Sequence, residues 1–191
     1  MKLSQSFYLQ TDVVDLSKQL LGKVLCSKVG DELTCGIICE TEAYAGVDDK
    51  ASHAYGGRRT KRTEIMYAEG GLSYVYLCYG VHYLFNVVSN QRDIPHAVLI
   101  RGIKPLDGID TILERRKRKV LSKEICIGPG KVSQALGIKK EHNAISLQGR
   151  EVWIEDRKIA VDFSKIRASK RIGIDYAEED ALLPYRFEYD F

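Results

Sequence analysis

The sequence predicts an α+β fold: a single mixed domain around a curved, mainly antiparallel sheet, with flanking helices and a protruding β-hairpin. Three observations point there. Strand-like segments come in runs with helices interspersed, and regular βαβ units are scarce. The chain has 191 residues, the size of one domain, and at that length folding buries roughly 70% of the unfolded chain's surface. No repeat and no linker rich in Pro, Gly or Ser divides it, so residues 1–191 read as one domain.

The elements follow in order. Residues 11–21 are helical: Thr11 caps, Asp12 and Asp15 suit the positive end, and Gly22 stops the helix. Residues 32–44 alternate as a strand, with Leu33, Cys35, Ile37 and Cys39 on one face and Glu40, Glu42 and Tyr44 on the other. Residues 72–89 form two strands folded at Cys78-Tyr79-Gly80-Val81, where Gly80 supplies the permissive backbone. A strand over 97–103 is ended by Pro105, and a short helix follows over 107–119. Gly128-Pro129-Gly130 opens a helix through Leu136 that Gly137 closes. Short strands are expected at 151–154, 158–162 and 171–174.

Composition narrows the class. With 45% hydrophobic and 29% charged residues, collagen-like and disordered chains are excluded. The five cysteines are odd in number, lack a CxxC and sit mostly among apolar neighbours, so reduced thiols in a cytosolic core are expected. The four histidines show no ligand spacing, and nothing calls for a metal or a cofactor. Without an apolar signal region or a membrane-length apolar run, the expected location is the cytoplasm, with nucleoid association in a prokaryote.

A net charge of +3 names no partner, but its distribution is uneven. Arg58-Arg59-Thr60-Lys61-Arg62 and Arg115-Arg116-Lys117-Arg118-Lys119 are dense cationic runs; Lys165, Arg167, Lys170 and Arg171 form a third cluster, and the tail from Asp175 is acidic. Together the clusters suit a polyphosphate backbone. Each alone is equally a solvated face, and the pentabasic run also reads as a nuclear address.

Two anomalies carry chemistry. Acidic residues are depleted from strands, yet Glu40 and Glu42 stand two apart on one, which places them about 7 Å from each other along it. Arg101 interrupts the apolar strand Ala97-Val98-Leu99-Ile100, where a cation needs a partner, and a strand glutamate is the natural one. A glutamate so held suits activation of water. The second anomaly is 11 Tyr against 5 Phe, with Tyr74, Tyr76, Tyr79 and Tyr83 close together. A buried tyrosine hydroxyl needs a partner. Tyr79, at the hairpin tip, is either an exposed side chain or a wedge between stacked bases.

In their order, Glu40-Thr41-Glu42-Ala43-Tyr44, Ala51-Ser52-His53-Ala54, Tyr74-Val75-Tyr76-Leu77-Cys78-Tyr79-Gly80 with Asn86, and Ala97-Val98-Leu99-Ile100-Arg101 resemble the alkyladenine (3-methyladenine) DNA glycosylase family. The likeness continues through Gly128-Pro129-Gly130-Lys131, Arg171-Ile172-Gly173-Ile174 and Pro184-Tyr185-Arg186-Phe187, nearly the whole chain. Thr63, where Asn is common, and Gly102, where Ala is more usual, depart from it. The resemblance implies hydrolysis of a purine–deoxyribose bond in double-stranded DNA containing damaged purines, by a monomer without a lyase step. It implies Glu42 as the base that activates water, assisted by Arg101. It also implies a pocket of Tyr44 and His53 on one side and Tyr76 on the other, with Asn86 lining it, and Tyr79 filling the gap in the duplex. Two other readings stay open: a non-catalytic damage- or RNA-binding module, and a hydrolase of free nucleosides or oligosaccharides built on Glu40 and Glu42.

Overall fold

The computed structural model describes residues 1–191. Eight strands form one sheet: β1 (Val24–Val29), β2 (Glu32–Tyr44), β3 (Ser73–Cys78), β4 (His82–Ser89), β5 (His96–Asp107), β6 (Val152–Glu155), β7 (Arg167–Ser169) and β8 (Arg186–Glu188). Four short α-helices, α1 (Gln5–Tyr8), α2 (Val13–Gln19), α3 (Ile109–Arg115) and α4 (Pro129–Ala135), complete an α+β architecture with short 3-10 turns between. The main strand order is β3-β4-β5-β2-β1-β6, with every pairing antiparallel. The long strand β2 is the axis. Its residues 35–44 meet β5 on one side, while on the other its first half pairs with β1 and residues 40–42 pair with β8.

Alternation sorts the side chains. Ala43, Val75, Phe85, Val87, Val98 and Ile100 point to one face and join α2 and α4 in a core of 26 buried residues. Their strand neighbours Tyr74, Val88 and Ala97 point to the opposite face, where they pack with Ala54, Met66 and Tyr67 from the loop after β2. Polar residues collect on this second face.

Several expectations are corrected. Asp12, not Thr11, caps α2, accepting from the N–H groups of Val14 and Asp15, and the helix ends at Gln19. Pro105 does not end its strand. β4 pairs only with residues 96–99 of β5, so Pro105 lies where the strand has one neighbour and beside a register shift, and its missing N–H costs little. The helix α3 stops at Arg115, and Lys117 adopts φ 52°, because five like charges disfavour continued helix. No strand forms at 158–162, where Lys158 has φ 61° and gives its N–H to Asp156 Oδ1. None forms at 171–174 either, where the Ile172 N–H goes to a side chain instead of a ladder. The strands β7 and β8, three residues each, are too short to show alternation and leave no signal in the sequence.

No helix is long and apolar enough to cross a membrane. All five cysteines are free thiols.

Candidate active site

One row of register runs across the second face of the sheet. Tyr74 on β3 stands opposite Asn86 on β4, Asn86 opposite Leu99 on β5, Leu99 opposite Glu42 on β2, and Glu42 opposite Arg186 on β8. Directly opposed residues share a face, so residues far apart in sequence become neighbours.

Arg101 enters this row through a bulge. Thr41 pairs with Ile100 and Glu40 with Gly102, which leaves Arg101 as the extra residue on β5; the register then slips back across Cys39 on β2. A bulge re-aims the side chain it carries. Here it turns the guanidinium toward both carboxylates: Arg101 Nε donates to Glu40 Oε1 at 2.9 Å and lies 3.4 Å from Glu42 Oε1. The expected pairing of Arg101 with a strand glutamate therefore involves both.

Glu42 is fully buried. Its Oε1 accepts the Ile172 N–H at 2.8 Å and its Oε2 accepts the Tyr44 hydroxyl at 2.8 Å. A carboxylate offers about four lone-pair sites, so these partners leave acceptor capacity for a water. Burial raises the Glu42 pKa above the ordinary carboxylate range, and Arg101, the Ile172 N–H and Tyr44 offset this only in part. A carboxyl raised in this way is a better base than a free one.

Tyr44, His53, Tyr76, Tyr79, Asn86 and Arg101 line one cavity of about 610 Å³, and Glu42 lies immediately behind Tyr44 and Arg101. The His53 and Tyr76 ring centroids are 4.8 Å apart, and Tyr74 and Tyr76 are 5.3 Å apart. Burial, with Arg62 and Arg58 nearby, lowers the His53 pKa to about 4, so the imidazole is neutral at neutral pH. Arg62 can only donate, so at 3.3 Å it makes His53 Nε2 the acceptor, and Nδ1–H then donates to the Tyr74 hydroxyl at 2.8 Å. Asn86 gives its amide N–H to the Tyr74 carbonyl at 3.0 Å. The β3–β4 hairpin turns through Tyr79 (φ 50°) and Gly80 (φ 70°), and Tyr79 is 93% exposed.

Residues missed by sequence reasoning complete the site. The Arg62 guanidinium lies 4.6 Å from the Tyr76 ring centroid. Arg171, assigned above to a cationic cluster, is buried: it pairs with Asp49 (2.5 and 2.8 Å), donates to the Ala43 carbonyl and lies 4.8 Å from the Tyr44 ring centroid. It supports Tyr44 and is not available to phosphate. Arg186, within the matched stretch but given no role, binds Glu40 at 2.8 Å. The turn at Gly128-Pro129-Gly130 is a packing turn: a Cβ on Gly130 would come within 2.8 Å of the His82 ring.

The profile of the methylpurine-DNA glycosylase family matches residues 6–190. The chain belongs to that family. Such proteins are hydrolases of N-glycosyl bonds. Similar proteins that carry the name "Putative 3-methyladenine DNA glycosylase" include one from Chlamydia felis, 49% identical across 97% of this chain and 94% of its own. Another is from Clostridium acetobutylicum, 45% identical across 98% and 93%. A third, from Bacillus cereus, is 44% identical across 100% and 96%.

Proposed function

We propose that this chain excises alkylated or deaminated purines from duplex DNA by flipping the nucleotide into the cavity and hydrolysing its N-glycosidic bond with water activated by Glu42. The observation that carries this is the shared row and bulge, which set a buried carboxylate and a guanidinium behind a cavity walled by aromatic rings. A stacked nucleotide hides its glycosidic bond, so it must rotate out, at a cost of a few kcal/mol that is smallest for damaged or mispaired bases. Tyr79 at the hairpin turn fills the vacancy, and stacking on the pocket rings recovers about 1–3 kcal/mol.

Alkylated purines carry positive charge, which ring faces attract. The neutral His53 adds no repulsion. In the reaction the C1′–N bond breaks and the departing purine keeps the electron pair. Water oxygen bonds to C1′, and its proton passes to Glu42. The carboxylate and its surroundings also oppose the positive charge that develops on the sugar. The only lysine lining the cavity is Lys131, whose amine donates to the Glu124 carbonyl. With water as the nucleophile, the product is an abasic site and the strand is not cut. A monomer in the cytoplasm, working on the chromosome there, suffices for this chemistry.

Glu40 does not fit the role of a paired glycosidase acid, because Arg101 and Arg186 both hold it. The decisive experiment uses a duplex carrying one hypoxanthine. Wild-type protein makes it alkali-labile at the lesion, and Glu42→Gln binds the same duplex without releasing base. Lesion binding with no base release by the wild type would instead identify a binding module.

A further inference from the structure

Glu40 takes no part in the steps above, yet it is one of the most constrained side chains in the molecule. It is 4% exposed, and its Oε1 accepts from Arg101 Nε at 2.9 Å and Arg186 Nη1 at 2.8 Å. Register slips flank it on both sides. Opposite it stands Gly102, where a Cβ would come 3.0 Å from Glu40 Cβ and 3.2 Å from Oε2. The absent side chain at 102 leaves room for the carboxylate.

We infer that Glu40 is a positioning residue: it shares the Arg101 guanidinium with Glu42 and so keeps Glu42 basic enough to deprotonate water. This rests on Glu42 being the base. A guanidinium committed wholly to Glu42 would stabilise its charged form and weaken it as a proton acceptor. Divided between two carboxylates on one nitrogen, it orients Glu42 without disarming it. Arg186 in turn gives the buried Glu40 carboxylate a second cationic partner, which offsets the cost of its burial.

The charged and titratable groups facing Glu42 are few. From β2 come Glu40 and Tyr44; from β5, Arg101; from β8, Arg186; and from the loop at 171–174, the Ile172 N–H with Arg171 behind the Tyr44 ring. Burial and Glu40 push the Glu42 pKa up, while Arg101, the Ile172 N–H and Tyr44 pull it down. Removing the Glu40 charge therefore has a definite sign.

The test is Glu40→Gln, which keeps an oxygen for Arg101 and removes only the charge, followed as single-turnover base release from a duplex carrying 7-methylguanine. That cationic base leaves without an added proton, so the acidic limb of the rate–pH profile reports the base alone. The expected result is a limb displaced to lower pH by about one unit, with a plateau rate lowered severalfold because the base is weaker. A lowered plateau with the limb in place means a structural role and overturns the inference, as does a limb displaced to higher pH. Arg186→Gln, at a partly exposed position, provides the second variant should Glu40→Gln fail to fold. It leaves Arg101 as the only cation on Glu40 and should move the limb to higher pH; an unmoved limb overturns the proposal. If Glu42→Gln still releases base, the assignment of Glu42 fails; if it is inactive and both limbs stay fixed, only the role of Glu40 fails.

Discussion

In the proposed reaction the protonation state of Glu42 governs the rate, and its neighbours set that state. A base works deprotonated, so base release rises with pH through the Glu42 pKa, which burial has raised. The Tyr44 hydroxyl favours the charged form, so Tyr44→Phe should move the acidic limb to higher pH by up to about one unit. The limb carries the information here, since losing the hydroxyl leaves the ring that faces the cavity. An unmoved limb would mean that the hydroxyl does not bond Glu42 during turnover. His53 offers a separate measurement. Its pKa of about 4 owes part of its depression to Arg62, so Arg62→Ala should raise it toward the ordinary 6.5, read from the imidazole ring protons by NMR. A value that stays near 4 would leave burial and Arg58 as its causes.

At the scale of elements, the hairpin and the bulge divide the work. The hairpin places Tyr79 at φ 50°, a left-handed conformation that costs an ordinary side chain about 1–2 kcal/mol. Asn tolerates that conformation better, so Tyr79→Asn should raise folding stability by up to about 1 kcal/mol while slowing base release from duplex. Urea unfolding and single-turnover kinetics check the two halves, and a variant that is both less stable and fully active refutes the assignment. Strand β2 was legible in the sequence because alternation over 13 residues outweighs local accidents, and the hairpin because Gly80 marks its turn. The bulge was not. An extra residue in one strand has no residue-type signature, and only the register shows that Arg101 is that residue. The same blindness sent Arg171 to a phosphate-binding cluster, because its partner Asp49 is 122 residues away in the chain. The residues given roles came largely from a family resemblance, whereas the groups that hold them, Arg186, Asp49 and the Ile172 N–H, came from the fold.

Across the whole molecule, charge that looks alike in sequence is not alike in space. In the third cluster Lys165 pairs with Asp162, Arg167 with Asp190 and Arg171 with Asp49, so the acidic tail and nearby loops neutralise most of it. In the first cluster Arg59 is held by Glu64 and Asp93, while Arg58, Lys61 and Arg62 have no ion pair. In the second, Arg115 and Arg116 bond neutral partners, and Lys117, Arg118 and Lys119 are exposed without a counter-ion. Arg116 also lines the cavity, which in the proposed reaction puts this run near the path of a duplex whose base enters it. Each phosphate that a cation neutralises releases condensed counterions and adds about 0.9 to the steepness with which log affinity falls against log salt. Replacing Lys117, Arg118 and Lys119 together by Gln should therefore reduce that slope by about one for each phosphate no longer neutralised, and weaken lesion and undamaged duplexes alike. Replacing Lys165 and Arg167 by Gln should change it far less, because the phosphates are then deprived only of cations already shared with carboxylates. Equal reductions from the two sets would mean that total charge, and not its place by the cavity, draws the protein to DNA.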